Sequence, residues 1–564
     1  MKMPSRLFAL LMVVVLLVSL CACGSNDAAV TTTAIADVTT TVVDAATTTV
    51  LDSDPAETDT AATEATSVVP DSAPTEDNTT AATNPTTMNN TAAVIIGTKV
   101  TTTTGTDAWE GAVKVTTTTV VTTTTTAKPI SKLNNVPLTS YTIVYGKNDL
   151  DYGRRAAEYI QQQIKERTGV SLTVCSDAEK AREHEIVVGE TTRAISRTLN
   201  ADTDGLEFAI MAQGNHVAME GDYFIIAAAA YYFIQTYISD NGGSKQVPEN
   251  VSVHTPIVKD PKNFMLLIGD GMGVQQTRLF EVMSAAEETE YSDNETLFYG
   301  YLFPAQGFSR TASLSGVTDS AAGGTALASG FKTLNDVVGK DENCKDVPSL
   351  TEIANGLGMA SAVMSTEPPT GATPSAFSAH ATTRSDESTI KIAQAKLTRR
   401  YGTRMYCDYD VYDKAGVGSV QSQLSQHLKA LAQDPDGFFL MYEEAHIDKH
   451  CHNSDRLSTF RAMVRFNQAI GIFMEFAFYN PDTFVLITAD HETGGLTEKD
   501  GTFRYTTPNH TGANVPVFAY GNGSELFNNV TVENIQIPKT IAAFWGEEIS
   551  GTDNQNYPSL IAAK

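Results

Sequence analysis

Positive charge is scarce in this chain: 39 Lys and Arg stand against 66 Asp and Glu, for a formal net charge of −27 at pH 7. A chain this acidic repels nucleic acid and anionic lipid surfaces, so no nucleic acid-binding module is expected. The same field repels phosphorylated small molecules unless a site brings its own positive charge. Cysteine is also sparse, with six in 564 residues. Cys21 and Cys23 belong to the leader, and the remaining Cys175, Cys344, Cys407 and Cys451 imply no disulfide framework. Long apolar runs are confined to the first residues. The uncharged stretch from Tyr223 to Ile238 is too short to span a bilayer and contains Gln235 and Thr236, so it reads as a helix packed on a small sheet.

What is present divides the chain into four parts. In residues 1–23, Lys2 and Arg6 precede the apolar core Leu7 to Leu20 and a small-residue cleavage site, the pattern of an export signal. Leu20-Cys21-Ala22-Cys23 resembles the bacterial lipoprotein box, which implies lipidation of Cys23 and a lipid anchor to the membrane at the cell surface. A plain cleaved signal and an uncleaved anchor are the other readings of the same run. Residues 24–135 are low-complexity runs of Thr, Ala, Val, Asp and Pro with almost no aromatic residue to bury, and read as a linker.

Residues 136–256 have globular composition and the pattern β-α-β-β-β-α. Tyr141 to Tyr145 and Glu185 to Val188 are strands, and Ala156, Ala157, Ile160 and Ile164 mark a helix ending near Gly169. The pattern resembles the small accessory domain ahead of the catalytic domain in several extracellular glycoside hydrolases, and no catalytic cluster lies in it. Residues 257–564 alternate apolar strands with helical stretches. The expected fold is α/β, a doubly wound, mostly parallel central sheet with helices on both faces, preceded by a small α/β domain.

The densest chemistry follows the apolar run Phe438 to Met441, in FFLMYEEAHIDKHCH. Asp448 and His452 are four apart, so a helix there sets them on one face, able to grip one ion. Alone, the segment reads as an acidic turn and a helix start; its company elsewhere in the chain reverses that reading. Other stretches likewise set polar residues after apolar runs. Asp270 follows Phe264 to Ile268 in a Gly-Asp-Gly turn, and Ser320 opens a small-residue helix whose N-terminus favours negative charge. Thr373 and Arg384 supply a hydroxyl and a planar fork for two phosphoryl oxygens. Asp490 and His491 follow Phe484 to Ile487, and His510 lies in Asn-His-Thr-Gly. Cys451 lies between two histidines and reads as a small helix-face residue rather than a ligand.

In order and spacing these stretches resemble the alkaline phosphatase family. The resemblance implies a phosphomonoesterase with one Zn2+ on Asp448, His452 and His510, and a second on Asp270, Asp490, His491 and the nucleophile Ser320. It also implies one Mg2+ on Asp270, Thr373 and Glu443; Glu444 stands where that family usually has Gly. Arg384 and Lys449 are then expected to face a small-molecule phosphate monoester, with catalysis through a phosphoseryl intermediate. Gly371 departs from the pattern, which commonly has Asp or His there, so Lys449 is expected to lack an acidic partner and to be free for substrate. The alternatives are a phosphodiesterase or sulfatase of the same superfamily, or a catalytically decayed surface-binding lipoprotein.

Overall fold

The apolar segments of the C-terminal part assemble into one eight-stranded sheet in a computed structural model, which describes residues 130–146, 151–199, 203–285, 296–407, 418–550 and 557–561. The expected leader, Cys23 and nearly all of the expected linker lie outside the described residues. Among those described, no helix is long and apolar enough to cross a membrane.

Across the sheet the strands run Arg404–Cys407, Ala360–Ser365, Phe438–Glu444, Asn263–Gly269, Thr483–Thr488, Val515–Tyr520, Ala305–Arg310 and Thr531–Glu533. Every pairing is parallel except the two made by Val515–Tyr520. The central strands have no polar face, because alternate side chains enter two different cores. Phe438, Leu440 and Tyr442 face one side, and Phe439 and Met441 the other; Met265 and Leu267 likewise oppose Phe264, Leu266 and Ile268. A strand apolar at every position is stable only when both faces are covered. The helix Arg456–Tyr479 covers one face through Phe466 and Phe473, while Ser320–Ser329 and Gln536–Phe544 cover the other through Leu327 and Ile541.

The preceding part holds a six-stranded sheet in the order Thr173–Ser176, Thr142–Tyr145, Glu185–Val188, His216–Glu220, Phe208–Gln213 and Ser252–His254. Its helix Tyr152–Thr168 buries Ala156, Ala157, Ile160 and Ile164. The expected boundary after residue 135 falls within a strand pair: Ser131–Leu133 pairs with Val136–Pro137 and with Gly243–Lys245. Three residues with Lys132 exposed between buried neighbours are too short for periodicity to reveal.

The core of this part is continuous with that of the C-terminal part. Phe224 meets Tyr299 and Phe478 at ring separations of 4.8 and 5.7 Å, and Tyr159 stacks on Tyr479 at 4.1 Å. Arg155 and Glu475 form an ion pair at 2.9 Å across the same joint. The helix Ile225–Tyr237, expected to pack on its own small sheet, also packs against Arg456–Tyr479.

Candidate active site

Four adjacent strands, Ala360–Ser365, Phe438–Glu444, Asn263–Gly269 and Thr483–Thr488, run in parallel and end at one edge, where polar side chains begin. Crevices at the carboxyl ends of such strands are where open α/β sheets bind ligands. Asp270 follows the third of these strands, Glu443 lies at the end of the second, and Asp490 and His491 follow the fourth. Gly271 has φ +75°, and a Cβ there would lie 2.8 Å from Asp448 Cα. Glycine therefore lets the turn after Asp270 lie against the helix His446–His452.

Two sets of ligand atoms converge here. In one, His452 Nε2 is 3.3 Å from Asp448 Oδ1 and 3.1 Å from His510 Nε2, and His510 Nε2 is 3.5 Å from Asp448 Oδ1. In the other, His491 Nε2 lies 3.5 Å from Asp270 Oδ1, 3.2 Å from Asp490 Oδ2 and 3.2 Å from Ser320 Oγ. His491 also stands close to the first set: it groups with Asp448 and His510 within 4.8 Å, its ring stacked on that of His510 at 3.6 Å. The pairwise distances put His452 with Asp448 and His510, and His491 between the two sets.

Backbone and hydroxyl partners settle which nitrogen of each imidazole faces inward. His452 Nδ1 is 2.5 Å from Pro508 O and His510 Nδ1 is 2.8 Å from Thr318 O; a carbonyl only accepts, so both Nδ1 atoms carry hydrogen. Thr493 Oγ1 donates its one proton to Asp448 Oδ1 at 2.6 Å and so accepts from His491 Nδ1 at 3.1 Å. When neutral, all three rings present a bare Nε2 to the centre, the form a metal ligand takes.

The donor set fits metal ions. The buried oxygens Asp270 Oδ1, Asp490 Oδ2, Glu443 Oε1 and Thr373 Oγ1 have no hydrogen-bond partner, and buried oxygens of this kind are costly unless a cation meets them. When both rings are neutral, the Nε2 lone pairs of His452 and His510 face each other at 3.1 Å and likewise call for a shared cation. Burial, then the charge of Asp490, raises the Asp270 carboxyl. Burial, then the charge of Glu367, raises that of Glu443. Asp490 is raised to about 7 by burial and then by Asp448. Asp448 is held well below its ordinary value: against its burial, hydrogen bonds from His452 and His510 prevail. Hydrogen bonding to Asp448 raises His452 to about 8, whereas burial depresses His491.

Ser320 is the first residue of Ser320–Ser329, whose N-cap Asp319 accepts from Ala322 N–H. The other oxygen of Asp319 lies 3.6 Å from Arg384 Nη1, which keeps the guanidinium beside the helix start and part-exposed. Thr373 is fully buried in the short helix Ala372–Ala376. Glu443 accepts from Ser365 Oγ, whereas Glu444 is occupied by Arg465 at 2.7 and 2.5 Å. Cys451 is buried with its Sγ against Thr459, Gln276 and Tyr505, and burial pushes its thiol up to about 12. The four cysteines among the described residues are free.

One expectation is overturned. Lys449 does have an acidic partner, Glu367, whose Oε2 lies 2.7 Å from Lys449 Nζ. Glu367 and Thr493 are among the site residues that the sequence reading missed. Both obey the rule that found the others: Glu367 lies two residues beyond the strand Ala360–Ser365, and Thr493 two residues beyond His491.

A family model described as "Alkaline phosphatase" matches residues 261–417 and 407–507. Alkaline phosphatase 4 of Bacillus subtilis is 28% identical over 307 residues, which cover 45% of this chain and 67% of that protein. The alkaline phosphatase of Escherichia coli is 33% identical over 175 residues, covering 29% of this chain and 33% of its own. The solved structure of the alkaline phosphatase from the Antarctic bacterium TAB5 is 26% identical, with a TM-score of 0.44 over 51% of this chain and 98% of that one. The chain thus spans between a third and two thirds of the length of the first two relatives.

Proposed function

The chain belongs to the alkaline phosphatase family, and from that membership we propose that it hydrolyses small-molecule phosphate monoesters in two steps through a phosphoseryl intermediate on Ser320. Asp448, His452 and His510 would hold one Zn2+, and Asp270, Asp490, His491 and Ser320 Oγ the second. Asp270, Thr373 and Glu443 would hold one Mg2+. When bound, the zinc ions supply Lewis acidity that favours an ionised hydroxyl or water and offsets charge on the leaving oxygen.

This chain's own groups account for the rest. Ser320 Oγ lies 3.2 Å from His491 Nε2, within the second ligand set, and at a helix N-terminus, where developing negative charge is favoured. That oxygen attacks phosphorus in line, the O–P bond of the ester breaks, and the alcohol leaves with a proton. Arg384 grips two phosphoryl oxygens in a bidentate fork, offsetting charge that the acidic chain would otherwise repel. Water then attacks the phosphoserine, releasing phosphate and restoring the Ser320 hydroxyl. In our reading Cys23 carries the lipid that tethers the enzyme outside the cell.

The observation that carries the proposal is Ser320 Oγ poised at 3.2 Å from a histidine that stands between two converging ligand sets. The test is a panel of monoesters, diesters and sulfate esters on metal-loaded protein, with Ser320→Ala beside it. Monoesters should be preferred, and Ser320→Ala should lower their turnover by roughly 10^4-fold or more. Faster turnover of a diester or sulfate ester would select the sibling chemistry, and unchanged turnover in Ser320→Ala would remove the nucleophile.

A further inference from the structure

We propose that Glu367 is a positioning residue of this site: it fills the space that a side chain at 371 would need, and from there holds Lys449 and limits the positive charge that lysine presents to a bound phosphoryl group. The proposal rests on the phosphatase reading above. Gly371 has φ −56° and ψ 161°, a backbone open to any L residue, so conformation does not demand glycine. Space does. A Cβ at 371 would lie 1.7 Å from Glu367 Oε1, 2.2 Å from its Cδ and 2.7 Å from its Cγ, so the carboxylate would have to leave.

Several contacts keep Glu367 where it is. Its backbone N–H donates to Ser365 Oγ at 2.9 Å, and that hydroxyl donates to Glu443. Pro368 and Pro369 follow and restrict the backbone. Gly371 N–H donates to Pro368 O at 2.7 Å, closing the turn that brings residue 371 back against Glu367. The carboxylate that holds Lys449 is 13% exposed, the lysine 43%. Lys449 adjoins the ligand Asp448 on the helix His446–His452. Withdrawing the Glu367 charge therefore takes away the carboxylate paired with Lys449, leaving Glu443 and Asp270 as the acids that act on it, so the lysine presents more positive charge to the phosphoryl site.

The test is a mutant cycle on the metal-loaded, full-length protein, read by calorimetric binding of inorganic phosphate and by KM and kcat on a chromogenic monoester. Glu367→Gln, nearly isosteric, should tighten phosphate by about tenfold and lower KM. Gly371→Ala should do the same by expelling the carboxylate, yet should change nothing further in a Glu367→Ala background. Glu367→Ala with Gly371→Asp should restore phosphate affinity toward wild type by supplying the carboxylate from the neighbouring position. Additive effects of Gly371→Ala and Glu367→Ala would overturn the proposal. So would a Glu367→Gln protein that loses thermal stability but keeps its phosphate affinity and KM. If the wild type hydrolyses monoesters while the cycle is additive, only this proposal fails; if it hydrolyses none, the functional reading fails.

Discussion

Thr493 has one hydroxyl proton, and where it goes links the two ligand sets. It goes to Asp448, so the same oxygen accepts from His491 and turns that ring's Nε2 toward Asp270, Asp490 and Ser320. Thr493→Val keeps the shape and removes both contacts. It should weaken zinc binding by roughly 10–100-fold, the usual effect of losing a partner that orients a ligand. Competition with a chromophoric chelator measures this directly, and unchanged zinc affinity would mean that packing alone orients His491.

At the scale of one strand, the adjacent Glu443 and Glu444 show how period two divides labour. Successive side chains point to opposite faces. Glu443 therefore joins Ser365 and the orphaned oxygens, and Glu444 meets Arg465 of the helix Arg456–Tyr479. Burial opposes the Glu444 charge, but the Arg465 guanidinium overcomes it and holds the carboxyl at about 2. Replacing only Arg465 leaves a fully buried carboxylate with the Thr366 hydroxyl and the His446 N–H but without its guanidinium partner. Arg465→Met should cost about 3–5 kcal/mol, read from the urea midpoint, and adding Glu444→Gln should recover much of it. Full stability in the single variant would show that Glu444 finds water instead.

Across the whole molecule the raised carboxyls tie stability to pH and metal. Without metal, Asp270, Glu443 and Asp490 hold protons to higher pH than the unfolded chain does, Asp490 to about 7. The folded state then binds more protons between about pH 4 and 7, so stability falls as pH rises through that window. His452, raised to about 8, and His510, also raised, act in the same direction as pH climbs further, while the depressed His491 works against them. Chelator-treated protein should melt higher at about pH 5.5 than at about pH 8, and zinc with magnesium should raise Tm more at the higher pH. The reverse order would refute the linkage. The continuous core makes a second demand: a chain begun at residue 257 uncovers Tyr299, Phe478 and Tyr479, so it should aggregate where one begun near residue 125 stays soluble. A soluble, monomeric fragment in light scattering would show that the joint is dispensable.

Much was legible without coordinates, because the signals are local. Runs apolar at every position announced strands buried on both faces, and the acids, imidazoles and hydroxyl at their ends marked the edge where Asp270, Glu443, Asp490 and His491 meet. Helical spacing put Asp448 and His452 on one face, and His452 Nε2 lies 3.3 Å from Asp448 Oδ1. The short strand Ser131–Leu133 escaped because three residues carry no period, and the shared core escaped because nothing in a helix's own pattern tells which neighbour covers it. Glu367 and Lys449 lie 82 residues apart. They meet because the strands Ala360–Ser365 and Phe438–Glu444 are neighbours in the sheet. Strand order is a property of the packed whole, which is why the sequence determined the chemistry at each strand end and only the tertiary structure decided that the space at Gly371 belongs to Glu367.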